Sequence, residues 1–362
     1  VSAGAPRRRR ARPGALALAA LAVSLLAWAC VEPPEQVALP WEALPFPVVA
    51  EPPDNPGTAD KVALGELLFY DPVLSADGLT ACATCHSEVW GMSDGLPLAI
   101  GVGAGPLAGP GRVGPALGER NSQTLWNVAL REELFWDGRV VGLEAQALLP
   151  LHSDVELARD PAEALAALRA IPEYVSRFAA AFPDAAEPIS EATLAKALAA
   201  FQRTLVSDRA LYDAYVDGDA RALDDAMARG LWRFAEAGCD GCHAPPTFEG
   251  PGYAPRGVAS GDPGRAAVSG DPADHGAFRV PTLRNVRDSG PYFHDGSVAE
   301  LRDAVRHELR LSPLGGTFDE SDVEDITAFI GKALLDRTRD PYRPLAVPSG
   351  LPVPLDGFRI PR

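Results

Sequence analysis

Two short segments constrain this chain more than anything else in it: Cys82-Ala-Thr-Cys85-His86 and Cys239-Asp-Gly-Cys242-His243. Two thiols three positions apart on one helical turn match the two vinyl groups of a haem, and a His directly after the second Cys points at the iron. A four-cysteine zinc site, a redox dithiol or a pair of disulfides would use the same thiols. None of these needs a His after the second Cys, and here it follows both times. The spacing therefore predicts two covalent c-type haems, attached at Cys82, Cys85, Cys239 and Cys242, with His86 and His243 as iron ligands. Of five Cys only Cys30 is left over.

The surroundings of the two motifs also repeat. Gly65-Glu-Leu-Leu-Phe69 precedes the first and Gly230-Leu-Trp-Arg-Phe234 the second. Leu223, Met227, Leu231 and Phe234 follow helical spacing, and Gly238 ends that helix before Cys239. A later helix is predicted over 322–335, with Ile326, Phe329, Ile330 and Leu334 on one face and Ser321 and Glu324 as a capping box. Ser190 caps a helix bearing Leu194, Leu198, Phe201 and Leu205 on one stripe. Pro161 opens another after Asp160. No alternating strand pattern of any length occurs. The expectation is a mainly α fold of two cytochrome c-like domains, each with one haem, packed around an interface. They span residues 58–206 and 207–340, with a Pro-rich tail over 341–362.

Residues 1–30 read as an export signal, with Arg7 to Arg10 and Arg12 ahead of a 15-residue apolar run from Ala15 to Ala29. That run is shorter than the ~20 residues a membrane span needs. Cys30 directly after it resembles a lipoprotein acylation site, which would make Cys30 the mature N-terminus and lipid anchor. Simple cleavage and an uncleaved anchor are the alternatives. Residues 31–57, with eight Pro, read as an extended tether. Each version places the folded part outside the cytoplasm, in the periplasm. Loss of the five Arg takes the formal charge from −16 to −21. Such a surface repels phosphate backbones, which excludes nucleic acid as a partner, and it suits a basic protein.

Further motifs lie between and beyond the two attachment segments. They are Leu64-Gly-Glu-Leu-Leu-Phe-Tyr-Asp71, Arg120-Asn121, Asn127, Phe135-Trp136-Asp137-Gly138-Arg139, Gln146, Pro150, Val155-Glu156, Ile171-Pro-Glu-Tyr174 and Ala181-Phe-Pro183. In the second half, Pro281-Thr-Leu-Arg-Asn285 and Pro291-Tyr-Phe-His294-Asp-Gly296 follow. In order and spacing, from about Ala63 to Lys332, the chain resembles the bacterial di-haem cytochrome c peroxidase family, including its MauG-type branch. The resemblance implies hydrogen peroxide reacting at the N-terminal haem and electrons passing through the C-terminal one. It also implies a small redox protein as donor, or a protein as substrate. By the same resemblance Glu156 is the distal acid-base carboxylate, Gln146 its hydrogen-bonding neighbour and Trp136 the indole between the haems. Asn121, with the main-chain carbonyls of Ser289 and Pro291, matches a calcium site at the domain interface.

The chain departs from that pattern twice. No His occurs from Ser87 to Leu151, and Met92, close behind His86, is poorly placed to reach the opposite haem face. An open, five-coordinate first haem is the expectation. The only Met, Met92 and Met227, both precede Cys239, so the second haem lacks the family's usual thioether. A helix predicted from Ser297, with Glu300 completing a capping box, puts Leu301, Ala304, Val305 and Glu308 on one face. By the resemblance the ligand position falls on Glu308, while His307 lies ~100° around the helix. Glu308, His307 or neither remains open, with Tyr253 and Tyr292 next. His152 fits either the distal pocket or the surface. His275 lies in a loop expected to be solvated, and His294 near the second haem. Together the departures favour MauG-like oxidation of a partner protein. Peroxide reduction with electrons from a small cytochrome or copper protein is the alternative, and non-catalytic electron transfer the third.

Overall fold

The computed structural model of the chain describes residues 1–2, 38–258, 261–312 and 317–356. The predicted signal beyond Ser2, Cys30 included, lies outside the described residues. No helix among the described residues is long and apolar enough to cross a membrane.

Helix α1, Ala59–Tyr70, starts at Thr58, whose hydroxyl accepts from the Lys61 amide, and buries Leu64, Leu68 and Phe69. It packs against α2, Glu191–Gln202, where Ser190 caps as the sequence suggests and Thr193 completes a reciprocal capping box. Gly65 sits at the crossing, where a Cβ would run into the Ala197 carbonyl and the Phe201 side chain. The second half is built the same way from α3, Asp225–Glu236, α4, Leu301–Leu311, and α5, Glu320–Ala328, with α5 against both others. Gly230 occupies the crossing of α3 and α5, and its missing Cβ makes room for the Asp325 carbonyl and Phe329. Each half encloses its own apolar cluster. The second is dominated by edge-on rings, with Phe234 and Phe248 at 5.6 and 5.8 Å from Phe329. Such pairs contribute about 0.5–1.5 kcal/mol each beyond area burial. Among the described residues strands are confined to three short pairs, and the fold is mainly helical.

Two helix starts differ from expectation. α5 begins at Glu320 rather than 322, because the Asp319 carboxylate accepts from the Ser321 and Asp322 amides at 2.8 and 3.1 Å and caps ahead of Ser321. It ends at Ala328 and runs on as a π-turn over Phe329–Ala333. α4 begins at Leu301, not Ser297. The Asp295 carboxylate takes the Ser297 amide at 3.1 Å in a local turn, and Glu300 makes no side-chain cap.

A loop recurs in both halves. Asn127 and Asn285 both have φ 59°, Phe135 and Phe293 both φ 68°, and each Phe is followed three residues on by a left-handed Gly, Gly138 or Gly296. The Asn127 amide donates to the Leu205 carbonyl and the Asn285 amide to that of Leu334, each just beyond the helix closing its half. Trp136 and His294 therefore hold equivalent positions.

The two Pro-rich stretches that flank the halves, 38–58 and 337–356, are packed against them. Trp41 donates to the Tyr212 hydroxyl at 2.9 Å and lies edge-on to Phe248, and Phe46 lies under the Arg284 guanidinium. The segment then crosses to the first half, where Asn55 donates to Glu144 at 2.7 Å and to the Lys196 carbonyl at 3.0 Å. At the other end Val347 enters the first core, and the Ser349 hydroxyl donates to the buried Asp71 at 2.6 Å. Arg343 pairs with Glu88, and Leu355–Asp356 pairs in parallel with Leu107–Ala108.

Candidate haem sites

Cys82–Cys85 form one helical turn, and His86 closes it. The His86 Nδ1 lies 3.1 Å from the Met92 carbonyl, presented by a residue at φ 59°. In the second half His243 Nδ1 lies 3.2 and 3.1 Å from the Phe248 and Pro281 carbonyls, and Phe248 too has a left-handed backbone. An Nδ1–H donated to a carbonyl fixes the ring and leaves Nε2 as the metal-binding atom. Burial holds both imidazoles below their ordinary pKa, in the neutral form that ligates. All four motif thiols are unpaired. No group of three or more His, Cys, Asp or Glu among the described residues would hold a bare metal ion, so the four thiols do not converge on a zinc site.

Each motif opens onto a cavity. The first, of about 940 Å³, is lined by Cys85, His86, Gln146, Pro150 and Glu156, and it has a small annex reaching Cys82. The second, of about 300 Å³, is lined by Cys239, Cys242, His243 and one face of α4. Paired thiols and an oriented imidazole at a cavity, twice over, fit haem.

Glu156 is half-buried in the first cavity, and burial raises its carboxyl pKa while Ser153 and Arg139 oppose the rise. Gln146 lines the same cavity. Trp136 lines both cavities, and so does its repeat partner His294. The indole N–H donates to the Asn121 carbonyl at 2.8 Å, and the Asn121 amide donates to the His294 carbonyl at 2.7 Å. His294 stacks on Phe278 at 3.7 Å and is buried. His152 and His275 are exposed, and His152 does not line the first cavity.

The two ligand candidates on α4 part company. Glu308 lines the second cavity with Leu301, Ala304, Val305 and Leu309. Its carboxylate is gripped at both oxygens by the Arg256 guanidinium. His307 turns away, its Nε2 2.7 Å from the Arg256 carbonyl and its ring against Phe293. Tyr292 lines the cavity, whereas the Tyr253 hydroxyl donates to Glu133. Arg256 was not visible as a site residue in the sequence, because its meaning depends on a loop folding back over α4.

Asn121 and Ser289 lie at the junction of the halves, and Pro291 follows Ser289 by two residues. Backbone at Gly91 approaches that of Asp288 and Ser289, and the Asn121 amide reaches the carbonyl of His294. The Asn121 Nδ2 donates to the Leu96 carbonyl at 2.7 Å, which leaves Oδ1 as the side-chain atom suited to a cation.

Two motif-bearing cavities in two helical halves, sharing an aromatic wall, are the arrangement that a di-haem c-type oxidoreductase requires. Residues 59–221 match the family model described as di-haem cytochrome c peroxidase. The chain is 38% identical to the cytochrome c551 peroxidase of Pseudomonas aeruginosa over 74% of this chain and 76% of that one. It is also 38% identical to the methylamine utilization protein MauG of Methylorubrum extorquens, over 72% of each. A crystal structure of a MauG-like protein associated with microbial copper homeostasis aligns with TM-score 0.68 at 30% identity, over 86% of this chain and 97% of that one. The chain belongs to the di-haem cytochrome c peroxidase and MauG family, whose members are oxidoreductases; the family implies two c-type haems.

Proposed function

We propose that this chain activates hydrogen peroxide at the first haem and shares the oxidising equivalents with the second through Trp136. The observation that carries this is Trp136 as a common wall of both cavities, with Glu156 and Gln146 in the cavity of His86. When bound, the first haem supplies an iron with an open face for peroxide and the second a store for an oxidising equivalent. The Glu156 carboxyl takes a proton from one peroxide oxygen and returns one to the other, so that water leaves. Its carboxyl, raised by burial, suits a group that must both accept and release a proton. Gln146 positions the peroxide by hydrogen bonding.

The outcome we favour is MauG-like oxidation of a partner protein. Met92 and Met227 are built into the first and second cores, and Glu308 rather than a thioether faces the second cavity. An oxygen ligand there favours the ferric state. We take the protein to be exported to the periplasm and acylated at Cys30, with calcium held by Asn121, Ser289 and Pro291. Peroxide added to the purified diferric protein tests the reading. A long-lived oxidised state spread over both haems, formed without prior reduction and quenched by a protein, supports it. A reaction that needs a reduced small cytochrome before peroxide is consumed makes the chain a cytochrome c peroxidase instead.

A further inference from the structure

Between the two cavities lies a charged cluster that the reaction above does not use. Arg131 lines the first cavity, and Arg279 lines the second. Arg131 Nε lies 2.7 Å, and Arg279 Nη2 2.8 Å, from the same oxygen of Glu249. All three side chains are buried, with 3, 8 and 10% of the Arg131, Arg279 and Glu249 side chains exposed. Arg131 Nη2 and Arg279 Nε have no hydrogen-bond partner.

Two guanidiniums share one carboxylate, so the cluster carries one unbalanced positive charge out of water. An uncompensated buried charge costs several kcal/mol, and unsatisfied N–H donors add to that. The arrangement therefore calls for further anions, and both arginines face a cavity built for a group bearing carboxylates. A guanidinium presents parallel donors that match a carboxylate edge. We infer that Arg131 anchors a propionate of the first haem and Arg279 one of the second, with Glu249 bridging the two anchors. The site is thus an anion relay, propionate–Arg–Glu–Arg–propionate, separate from Trp136. It rests on the reading that each cavity holds a haem.

A cation beside a haem favours the reduced, more negative state, so each anchor raises the potential of its own haem. Holoprotein carrying Arg131→Gln, Arg279→Gln or Glu249→Gln tests this, with the potential of each haem measured by spectroelectrochemistry and propionate bending modes by resonance Raman. Arg131→Gln should lower the first haem's potential more than the second's, and Arg279→Gln the reverse. Glu249→Gln removes the shared negative charge and should raise both. Arg131→Lys and Arg279→Lys keep the charge but lose the fork. They should hold the potentials near wild type while shifting the propionate mode of the matching haem. Arginine variants that move neither potential, a Glu249 variant that moves only one, or Lys variants that behave like Gln would each overturn the assignment. A wild-type haemochrome assay giving fewer than two haems per chain would instead remove the reading beneath it.

Discussion

Glu156→Gln keeps the size and hydrogen bonding of the side chain but not its proton. If Glu156 moves the proton during O–O cleavage, stopped-flow mixing with peroxide should show a ~10²–10⁴-fold slower reaction, about 3–5 kcal/mol of barrier, with both ferric spectra intact. The same variant has a stability signature. Burial raises the carboxyl in the fold above its unfolded value, so the wild type loses stability as pH rises through that folded value. Glu156→Gln should melt at a higher temperature than wild type at neutral pH. The gap should close below about pH 4, where both folded and unfolded carboxyls are protonated. Trp136→Phe leaves the proton chemistry alone. There the first haem should still react with peroxide while oxidation of the second becomes slow or incomplete in the same traces. The two Cys-x-x-Cys-His segments were legible in the sequence because each is local, a single turn closed by its His. Arg131, Glu249 and Arg279 were not, because their charges meet only once three separate segments, one of them the strand Ala277–Arg279, are folded together.

At the scale of the helix, the readable signals were apolar spacing and Gly. Leu194, Leu198 and Phe201 are buried on α2, and Met227, Leu231 and Phe234 on α3, as their periodicity suggests. Caps were less secure, since Asp319 outcompetes Ser321 and Asp295 ties up Ser297 before a helix forms. Gly65→Ala and Gly230→Ala should each lower unfolding free energy by roughly 1–3 kcal/mol, the usual cost of overpacking, because backbone carbonyls cannot retreat as a side chain can. Chemical denaturation followed at the haem band of the matching half would show it. The ~100° step around the helix between His307 and Glu308 decides another outcome. Glu308→Gln should convert the second haem's low-spin electron paramagnetic resonance signal to high-spin, whereas His307→Gln should leave it in place. An unchanged signal in both would move the ligand to Tyr292, which lines the same cavity.

Over the whole molecule, the Pro-rich ends behave as clamps, which composition could not reveal. Proline content marks extended backbone, but whether extended backbone packs depends on a few apolar anchors such as Trp41, Phe46 and Val347. Trp41 touches Phe248, whose carbonyl lies against His243 Nδ1. Trp41→Ala should therefore cost roughly 1–3 kcal/mol and perturb the second haem's spectrum more than the first's, as thermal melts monitored at each haem band would report. The division into two halves was legible from the doubled motif. The crossing of the N-terminal segment from the second half to the first, and the return of the C-terminal segment to the first, were not, because neither contact leaves a periodic trace.

The repeated loop gives the molecule a polarity. Its two copies share backbone angles at Asn, Phe and Gly, yet one offers an indole at the shared wall and the other an imidazole stacked on Phe278. A duplicated frame has diverged at one position while keeping its backbone. The scaffold is nearly symmetric, and its two copies differ in which ring each carries to the wall between the cavities. Side chains at that wall can thus be exchanged without any change to the loop that presents them.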